Sequence, residues 1–386
     1  MRRDLYEATA PYFRAHFHCM RSILLPMAAI TSAIVSAQTL TPTLLTPIDP
    51  ALNETSGLLV LDGHVWTQLD SGNPHDLYQV DPTTGNILRT VSVTNAPAQD
   101  WEDIAADDTW LYIGDFGNNA GARTDLRVFR VPLAEILDPG VTSVLADTIR
   151  FAYPEQTDFT PADHANNWDC EAMIAMDDSL FLFSKNWLDN TSYLYALSAE
   201  PGDHLALRRD TLNAQGLITG ASYDAATGTI ALCGYTNTLM PFVWRLADHD
   251  GHAFFDGTAQ RHPLQLPLTQ VEGIAWSSAN TVYLSNEHNA LSAARLWEVV
   301  LDAPTIIDAA GTPGALSAIV DPAQRTIVMT TPAACTLEVL DAQGRRVLRT
   351  RLMEGRNTIE IMDLPAGIYL LWTNDGSRGV RIVVPR

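Results

Sequence analysis

The sequence is poor in lysine and rich in acidic residues. Of its 386 residues only Lys185 is a lysine, while Asp and Glu together number 45 and the formal net charge is −21. The excess of acid lies between residues 38 and 303. Because such a charge repels nucleic acids and anionic membranes and attracts cations, we expect no nucleic-acid partner.

Cysteines and familiar catalytic motifs are also scarce. The chain has 4 cysteines, and three of them, Cys170, Cys233 and Cys335, follow the N-terminal segment at wide spacing. Three scattered cysteines do not make a disulfide framework. We expect Cys170 and Cys233 to be buried thiols, with a disulfide between them as the alternative. The sequence contains no nucleophile elbow, Walker loop, HExxH motif, EF-hand loop or zinc-type spacing, so it indicates no particular reaction.

The one apolar run near the N-terminus is too short to span a membrane. It covers Ile23 to Val35, follows the charged Met20-Arg21, and ends at Val35-Ser36-Ala37, which is typical of a signal-peptide cleavage site. The pattern predicts a signal peptide region over residues 1–37, with Met20 as an alternative start. We expect no transmembrane segment after cleavage.

Two short motifs recur five times between residues 50 and 301. The upstream copies begin at Ser56, Glu102, Glu171, Thr219 and Glu272, and the downstream copies begin at Leu77, Val128, Leu194, Val243 and Leu296. Repeats of this length built from short alternating strands are typical of radially stacked sheets. The sequence predicts an all-β fold with a five-bladed β-propeller over residues 38–303, and a sixth blade is the alternative.

The fifth repeat shows three strands, at 272–276, 281–285 and 294–301, where the other repeats show four. The apolar residues 39–46 precede the first repeat and are free to supply the missing strand. Pairing of the two chain ends removes an open sheet edge. We therefore expect an N-terminal strand to close the propeller.

The composition changes after Leu301. Residues 304–315 are rich in Pro and Gly and are predicted to be a linker. Residues 316–386 alternate as short strands and predict a small C-terminal β-sandwich. They resemble the sorting domain of bacterial type IX secretion in three stretches: 337–347, Asn357-Thr358-Ile359-Glu360 and Leu364-Pro365-Ala366-Gly367-Ile368-Tyr369. The resemblance implies the type IX secretion machinery as a partner and a secreted or outer-cell-surface protein.

The repeats themselves resemble a phytase-like family of bacterial β-propellers. The motifs that carry this resemblance are Asp70-Ser71-Gly72, Asp100-Trp101-Glu102-Asp103, Gly114-Asp115-Phe116-Gly117-Asn118-Asn119, Cys170-Glu171-Ala172-Met173, Ser184-Lys185 and Asn286-Glu287. The resemblance implies the propeller fold over residues 50–301 and assigns no reaction.

Acidic residues occupy equivalent positions in the repeats. Glu102, Glu171 and Glu272 begin the innermost strand of their blades, and Asp115 and Glu287 follow the second strand on the same face. Carboxylates that converge in a channel mouth repel one another unless they are protonated or bound to a cation, and hard oxygen ligands favour Ca²⁺ or Mg²⁺. The sequence predicts such a metal site. Alternatively, these acids accept backbone N–H groups from the next blade.

Lys185 is the one fixed cation expected at this mouth, where it binds a phosphate or carboxylate or pairs with Glu171 or Asp169. Lys185, His164 and His288 are the candidate catalytic groups. The residues expected to contact a substrate are Lys185, Asn186, Asn118, Asn286 and Asp70.

These expectations lead to one preferred function and two alternatives. We expect a secreted, cation-binding propeller that hydrolyses or binds a small anionic substrate of the phosphoester type. The first alternative is a non-enzymatic surface module that recognises a glycan or a protein through Trp101, Trp168, Trp187 and Tyr235. The second is a scaffold with no small-molecule site.

Overall fold

The computed structural model describes residues 38–301 and, with short gaps, residues 317–384. Almost all regular structure in this part of the chain is β-strand. The two helical segments are a 3₁₀ turn at Pro50–Leu52 and a short helix, α1, at Leu133–Leu137. The fold class is therefore all-β, as predicted. The signal peptide region 1–37 and the linker 304–315 lie outside the described residues, so the domain boundaries stay predictions.

Five antiparallel sheets follow one another from residue 43 to residue 300. The first strand of the chain is β1 (Thr43–Pro47). The first sheet consists of β2 (Thr55–Leu61), β3 (His64–Leu69), β4 (Asp76–Val80) and β5 (Ile87–Val93). The second sheet consists of β6 (Trp101–Ala106), β7 (Trp110–Asp115), β8 (Arg127–Pro132) and, after the two-residue strand β9 (Ser143–Val144), β10 (Asp147–Ala152).

The remaining three sheets repeat this plan. The third contains β11 (Cys170–Met176), β12 (Ser179–Ser184) and β13 (Ser192–Ser198), and after β14 (Gly202–Leu205) it ends with β15 (Leu207–Leu212). The fourth contains β16 (Leu217–Asp224), β17 (Thr229–Tyr235), β18 (Pro241–Ala247) and β19 (Thr258–Pro263). The fifth contains β20 (Val271–Ser278), β21 (Thr281–Asn286) and β22 (Arg295–Val300).

The first and second strands of each sheet are joined by tight turns. In the first sheet, Asp62 and Gly63 have φ of 48° and 76°. In the third sheet, Asp177 and Asp178 have φ of 51° and 56°. Positive φ at both central residues is the geometry that matches the twist of a hairpin, and Asp and Gly tolerate it best. These turns leave little backbone for a functional loop at this end.

The predicted pairing of an N-terminal strand with the fifth repeat is confirmed. β1 pairs antiparallel with β22, with Thr43 opposite Glu298 and Pro47 opposite Arg295. Leu40, just before β1, forms an isolated parallel bridge with Leu264 beside the fourth sheet. The N-terminal segment thus completes the fifth sheet and contacts the fourth.

Two further short strands link neighbouring sheets. β9 leaves the second sheet and pairs in parallel with β5 of the first sheet. β14 leaves the third sheet and pairs in parallel with β10 of the second. In each case a connection between the third and fourth strands of one sheet covers the outer edge of the preceding one.

Five apolar clusters fill the intervals between successive sheets, and they close a cycle. The first strands of neighbouring sheets touch in turn, and β20 of the fifth sheet touches β2 of the first. Each cluster takes buried residues from two adjacent sheets, for example Trp66 with Ile113, Tyr112 with Leu182, Phe183 with Leu232, Cys233 with Ile274, and Leu296 with Leu58. Cys170 and Cys233 are buried free thiols, as expected, and not a disulfide.

The C-terminal residues form two smaller antiparallel sheets. One contains β23 (Ser317–Asp321), β24 (Thr326–Thr331) and β27 (Gly355–Glu360). The other contains β25 (Cys335–Asp341), β26 (Arg346–Leu352), β28 (Gly367–Thr373) and β29 (Val380–Val384). Buried residues of both sheets, including Ile327, Leu337 and Leu371, belong to one apolar cluster.

Candidate functional site

A β-bulge interrupts the first strand of every one of the five sheets at the same level. The pairing with the second strand shifts between Trp101 and Asp103, between Cys170 and Ala172, and between Val271 and Gly273, and the first and fourth sheets shift at the matching place. A bulge bends a strand and re-aims a side chain. The bulged residues of the second, third and fifth sheets are Glu102, Glu171 and Glu272, so the three predicted glutamates occupy equivalent structural positions.

The residue that follows the second strand lies at the same end of each sheet. It is Asp70 in the first sheet, Lys185 in the third and Glu287 in the fifth. Asp100 precedes β6. We use the name carboxylate cluster for the following six acidic residues: Asp70, Asp100, Glu102, Glu171, Glu272 and Glu287. One carboxylate oxygen each from Asp70, Asp100 and Glu102 lie within 4.8 Å of one another.

The cluster is buried and its members raise each other's pKa. Glu102, Glu171 and Glu272 are only 3%, 3% and 5% exposed. Burial, followed by the charges of Glu171 and Asp70, raises the pKa of Glu102 well above its ordinary value. Burial likewise raises the pKa of Asp100 and of Glu272 to about 7 and that of Glu287 to about 9. At neutral pH the cluster therefore holds protons, or a cation in their place.

Lys185 neutralises one part of the cluster. Its Nζ lies 3.0 Å from Oε1 of Glu171, and both side chains are almost fully buried. The ammonium group also lies over the rings of Trp187 and Tyr235, 5.0 and 5.6 Å from their centroids. Burial alone would lower the pKa of Lys185, but Glu171 and the other acids raise it above its ordinary value. The pairing with Glu171, one of the alternatives from the sequence, is confirmed.

Asp115 does not join the carboxylate cluster, so its predicted metal role needs correction. It is the last residue of β7 and fully buried, and the position matching Lys185 is taken by Phe116. Oδ1 of Asp115 lies 3.1 Å from Arg123, and Oδ2 lies 2.7 Å from Arg127. Oδ1 also accepts the backbone N–H of Asp100 at 3.0 Å. Asp115 therefore positions Asp100.

Three predicted substrate-binding asparagines hold local loops instead. Asn118 accepts the N–H of Arg123 at 2.9 Å. Asn186 accepts a hydrogen bond from Ser184 Oγ at 2.7 Å and donates to Thr191 Oγ1 at 2.8 Å. Asn286 accepts from Trp297 Nε1 at 2.8 Å and donates to Ala293 O at 2.9 Å. All three side chains are buried and committed to the protein's own loops.

The two candidate histidines are exposed. His164 lies 3.2 Å from Asp163, and its ring meets the edge of Trp187 at a centroid distance of 4.3 Å. Because Lys185 lies over the same Trp187 ring, His164 is connected to the cluster through that indole. His288 follows Glu287, and its backbone N–H donates to Asn53 O at 2.8 Å.

Asp103 was not predicted from the sequence to have a role. Its carboxylate accepts backbone N–H groups of other sheets, which is the alternative role proposed for Glu102, Glu171 and Glu272. It is fully buried one residue after the Glu102 bulge. Its carboxylate accepts N–H groups from Ile104 at 2.9 Å, from Met173 of the third sheet at 2.8 Å and from Ala221 of the fourth at 3.2 Å. The sequence contains a signal for this role, because Asp103 is acidic where the other four repeats have a small residue. Those residues are Gly57, Ala172, Gly220 and Gly273.

The small residues at this level let the first strands approach closely. A Cβ on Gly57 would lie 2.7 Å from the backbone N of Ile104 and 2.8 Å from Cα of Asp103. Asp103 is thus the one acidic side chain at a position that otherwise carries almost no side chain, and it reaches two other sheets.

The aromatic residues proposed for glycan or protein recognition are largely internal. Trp101 is fully buried and Tyr235 is 5% exposed. Trp168 packs against a buried cluster, and Trp187 donates its indole N–H to Asp169 at 2.8 Å. Trp101 and Tyr235 are therefore removed from that set.

Comparison with known families identifies the C-terminal part. Residues 321–384 match the family described as secretion system C-terminal sorting domain. The type IX resemblance is thereby confirmed, the protein is secreted or exposed at the outer cell surface, and the type IX machinery is its export partner. No family match supports the phytase-like resemblance of residues 50–301, and comparison with curated proteins finds no match. The described residues contain no helix long and apolar enough to cross a membrane.

The similar solved structures are distant. An exo-beta-1,3-galactanase from Phanerochaete chrysosporium is 9% identical, with a TM-score of 0.42 over 90% of this chain and 99% of that one. The Kuenenia stuttgartiensis hydrazine synthase is 8% identical, with a TM-score of 0.33 over 72% and 76% of the two chains. A chain of the mitotic checkpoint complex is 14% identical, with a TM-score of 0.32, and the match spans 64% of this chain and 62% of that one. None of these likenesses indicates a function.

Proposed function

We propose that the five sheets form a five-bladed β-propeller closed by β1, with the carboxylate cluster at the mouth of its central channel. Support comes from the cyclic contacts of the first strands and from the apolar cluster between the fifth and first sheets. Asp103 lies one residue deeper and bonds to the third and fourth sheets, so its side chain closes the channel. The mouth is then a cup with one opening.

The function that this cup supports best is binding of a divalent cation, Ca²⁺ or Mg²⁺, by an exported protein. The observation that carries the proposal is the convergence of Asp70, Asp100 and Glu102, whose carboxylate oxygens lie within 4.8 Å. Two unit charges 4 Å apart repel by about 4 kcal/mol at the effective dielectric of a protein surface. A cation with hard oxygen ligands removes that cost, and carboxylates are the ligands that Ca²⁺ and Mg²⁺ prefer.

A bound cation would also let the cup hold a small anionic ligand. Without it, the carboxylates repel anions, and Lys185 is committed to Glu171. With it, the metal presents a positive charge to a phosphoester-type ligand. Glu272, whose pKa is raised by burial to about 7, is the group suited to take up or release a proton there.

Calorimetric titration of the protein with CaCl₂ and MgCl₂ tests the binding, and a phosphoester panel with and without EDTA tests turnover. We expect saturable binding and chelator-sensitive hydrolysis. Binding without turnover would restrict the function to ligand capture. If neither ion binds at millimolar concentration, the proposal is wrong.

A further inference from the structure

The charges of the carboxylate cluster are compensated unevenly. Glu171 has Lys185 at 3.0 Å, and the same ammonium group opposes the rise in the pKa of Glu272. Glu102 forms no such ion pair with a residue that the structure describes, and the charges that raise its pKa most, those of Glu171, Asp70, Asp100 and Asp169, are all acidic. This inference rests on the proposed cation binding and concerns which residues of the carboxylate cluster bind the ion.

The surroundings of Glu102 have the shape of a small ligand site. Glu102 is 3% exposed, and Ser56 Oγ donates to its backbone carbonyl rather than to its carboxylate. The backbone of Gly117 lies directly against it, because a Cβ there would clash with Oε1 of Glu102 and Oδ2 of Asp100. The loop around Gly117 is tied down by Arg123, which donates to Gly117 O at 2.8 Å. The carboxylates of Asp100 and Glu102 are thereby held against a fixed wall.

A buried amide on the same side also lacks a partner. Gln68 is fully buried, and neither its Oε1 nor its Nε2 bonds to any residue that the structure describes. It lies two residues before Asp70, and residues at this spacing along a strand point to the same face. Its Oε1 lies beside Gly57, at the contact between the first and second sheets. An unpaired amide oxygen is costly to bury. Gln68 Oε1 and Cα of Asp103 each lie 2.8 Å from the position that a Cβ on Gly57 would take, so the amide oxygen lies close to the residue that follows Glu102.

We propose that the cup is divided: Asp70, Asp100 and Glu102 bind one divalent cation, with Gln68 as a neutral oxygen donor behind them, and Lys185 is the permanent counter-ion of Glu171 and Glu272. Lys185 stands at the position that Asp70 holds in the first sheet and Glu287 in the fifth. The lysine thus replaces a second metal ion, and the protein takes up one ion per chain.

Titration of full-length variants with Ca²⁺ separates the two parts of the cup. Glu102→Gln removes a ligand charge and is expected to weaken affinity at least tenfold, whereas Glu272→Gln weakens it less than threefold. Asp70→Asn, at a half-buried position, repeats the test if Glu102→Gln does not fold. Asp108→Asn, on the exposed turn after β6, is the matched control and leaves affinity unchanged.

Lys185→Gln gives the sharper readout, because it leaves Glu171 and Glu272 without a counter-ion. The stoichiometry should rise from one Ca²⁺ to two. Equal losses in Glu102→Gln and Glu272→Gln, or a stoichiometry that stays at one in Lys185→Gln, would overturn the division while leaving cation binding in place. A wild-type protein that binds no ion would instead reject the proposed function itself.

Discussion

The carboxylate of Asp103 accepts the backbone N–H of Met173 at 2.8 Å, across the boundary between the second and third sheets. The same Oδ2 accepts the N–H of Ala221 in the fourth sheet at 3.2 Å. One side chain therefore ties three first strands together at the level where their backbones come closest. Because all of these groups are buried, the bonds have no water to replace them.

Replacement of Asp103 by Ala should destabilise the five-sheet unit without altering its surface. Two or more buried N–H groups lose their acceptor, and each unsatisfied group costs about 1–3 kcal/mol, so we expect a loss of ~3 kcal/mol. Urea unfolding followed by tryptophan fluorescence measures this loss. Asp108→Ala on an exposed turn is the control, and equal midpoints for the two variants would contradict the role of Asp103.

Stability in EDTA should fall as the pH rises from 5 to 9. Burial raises the pKa of Asp100 and Glu272 to about 7 and that of Glu287 to about 9, above unfolded values near 4. Between those limits the folded state binds more protons than the unfolded state, so raising the pH favours unfolding. A buried carboxyl contributes about 1.4 kcal/mol per pH unit in this window.

Added Ca²⁺ should reverse that trend, because the ion replaces the protons that the cluster loses. The melting temperature with millimolar Ca²⁺ is then expected to exceed the EDTA value by more at pH 8 than at pH 5. Differential scanning calorimetry at several pH values measures both curves. A melting temperature in EDTA that rises between pH 5 and 9 would mean that the cluster carboxylates do not hold protons.

Asp115→Ala should weaken Ca²⁺ binding although Asp115 does not belong to the cluster. The substitution removes a carboxylate partner of Arg123 and of Arg127, and it removes the acceptor for the N–H of Asp100. Loss of such supporting contacts typically costs about 10–100-fold in metal affinity. Asp125→Asn is the matched control, since Asp125 pairs with the same Arg123 from an exposed position. Similar affinities in the two variants would show that Asp115 does not position Asp100.

Deletion of residues 38–48 should leave the outer edge of β22 unpaired. The deletion removes β1 and the buried Leu40 and Ile48, and we expect the melting temperature to fall by about 10 °C or more. A shorter deletion of residues 38–39, which keeps Leu40 and β1, is the control. Thermal denaturation and light scattering measure stability and aggregation, and identical curves for the two deletions would refute the contribution of β1.

The sequence predicted the strands, the pairing of the N-terminal segment with the fifth repeat and the equivalence of Glu102, Glu171 and Glu272, because each leaves a repeated pattern. It also included the pair of Lys185 with Glu171 among its alternatives. It assigned Asp115 wrongly because the last residue of a strand and the residue after it point to opposite faces. A shift of one residue along the chain therefore determines whether a carboxylate lies in the cluster or forms a salt bridge with arginine.

The bulges explain why Asp100 and Asp103 were not recognised from the sequence. An extra residue in the first strand changes which side chains share a face, and the alternating pattern does not reveal it. Asn118, Asn186 and Asn286 bond within their own loops for another reason. Their positions after the strands are right for a ligand, but the loops they belong to need internal donors and acceptors of their own.

Because Thr43 pairs with Glu298, β1 can complete the fifth sheet only after almost all of the five-sheet unit has been synthesised. At a synthesis rate of ~5–20 residues per second, the roughly 250 residues between them take about 10–50 s to emerge. For that time β1 has no partner strand, and an apolar segment without a partner invites association with other chains. Pro42 precedes β1, Pro47 ends it and Pro50 follows it, and a proline offers no N–H to an incoming strand. The prolines therefore limit the number of N–H groups that this segment offers to other chains until β22 has been synthesised.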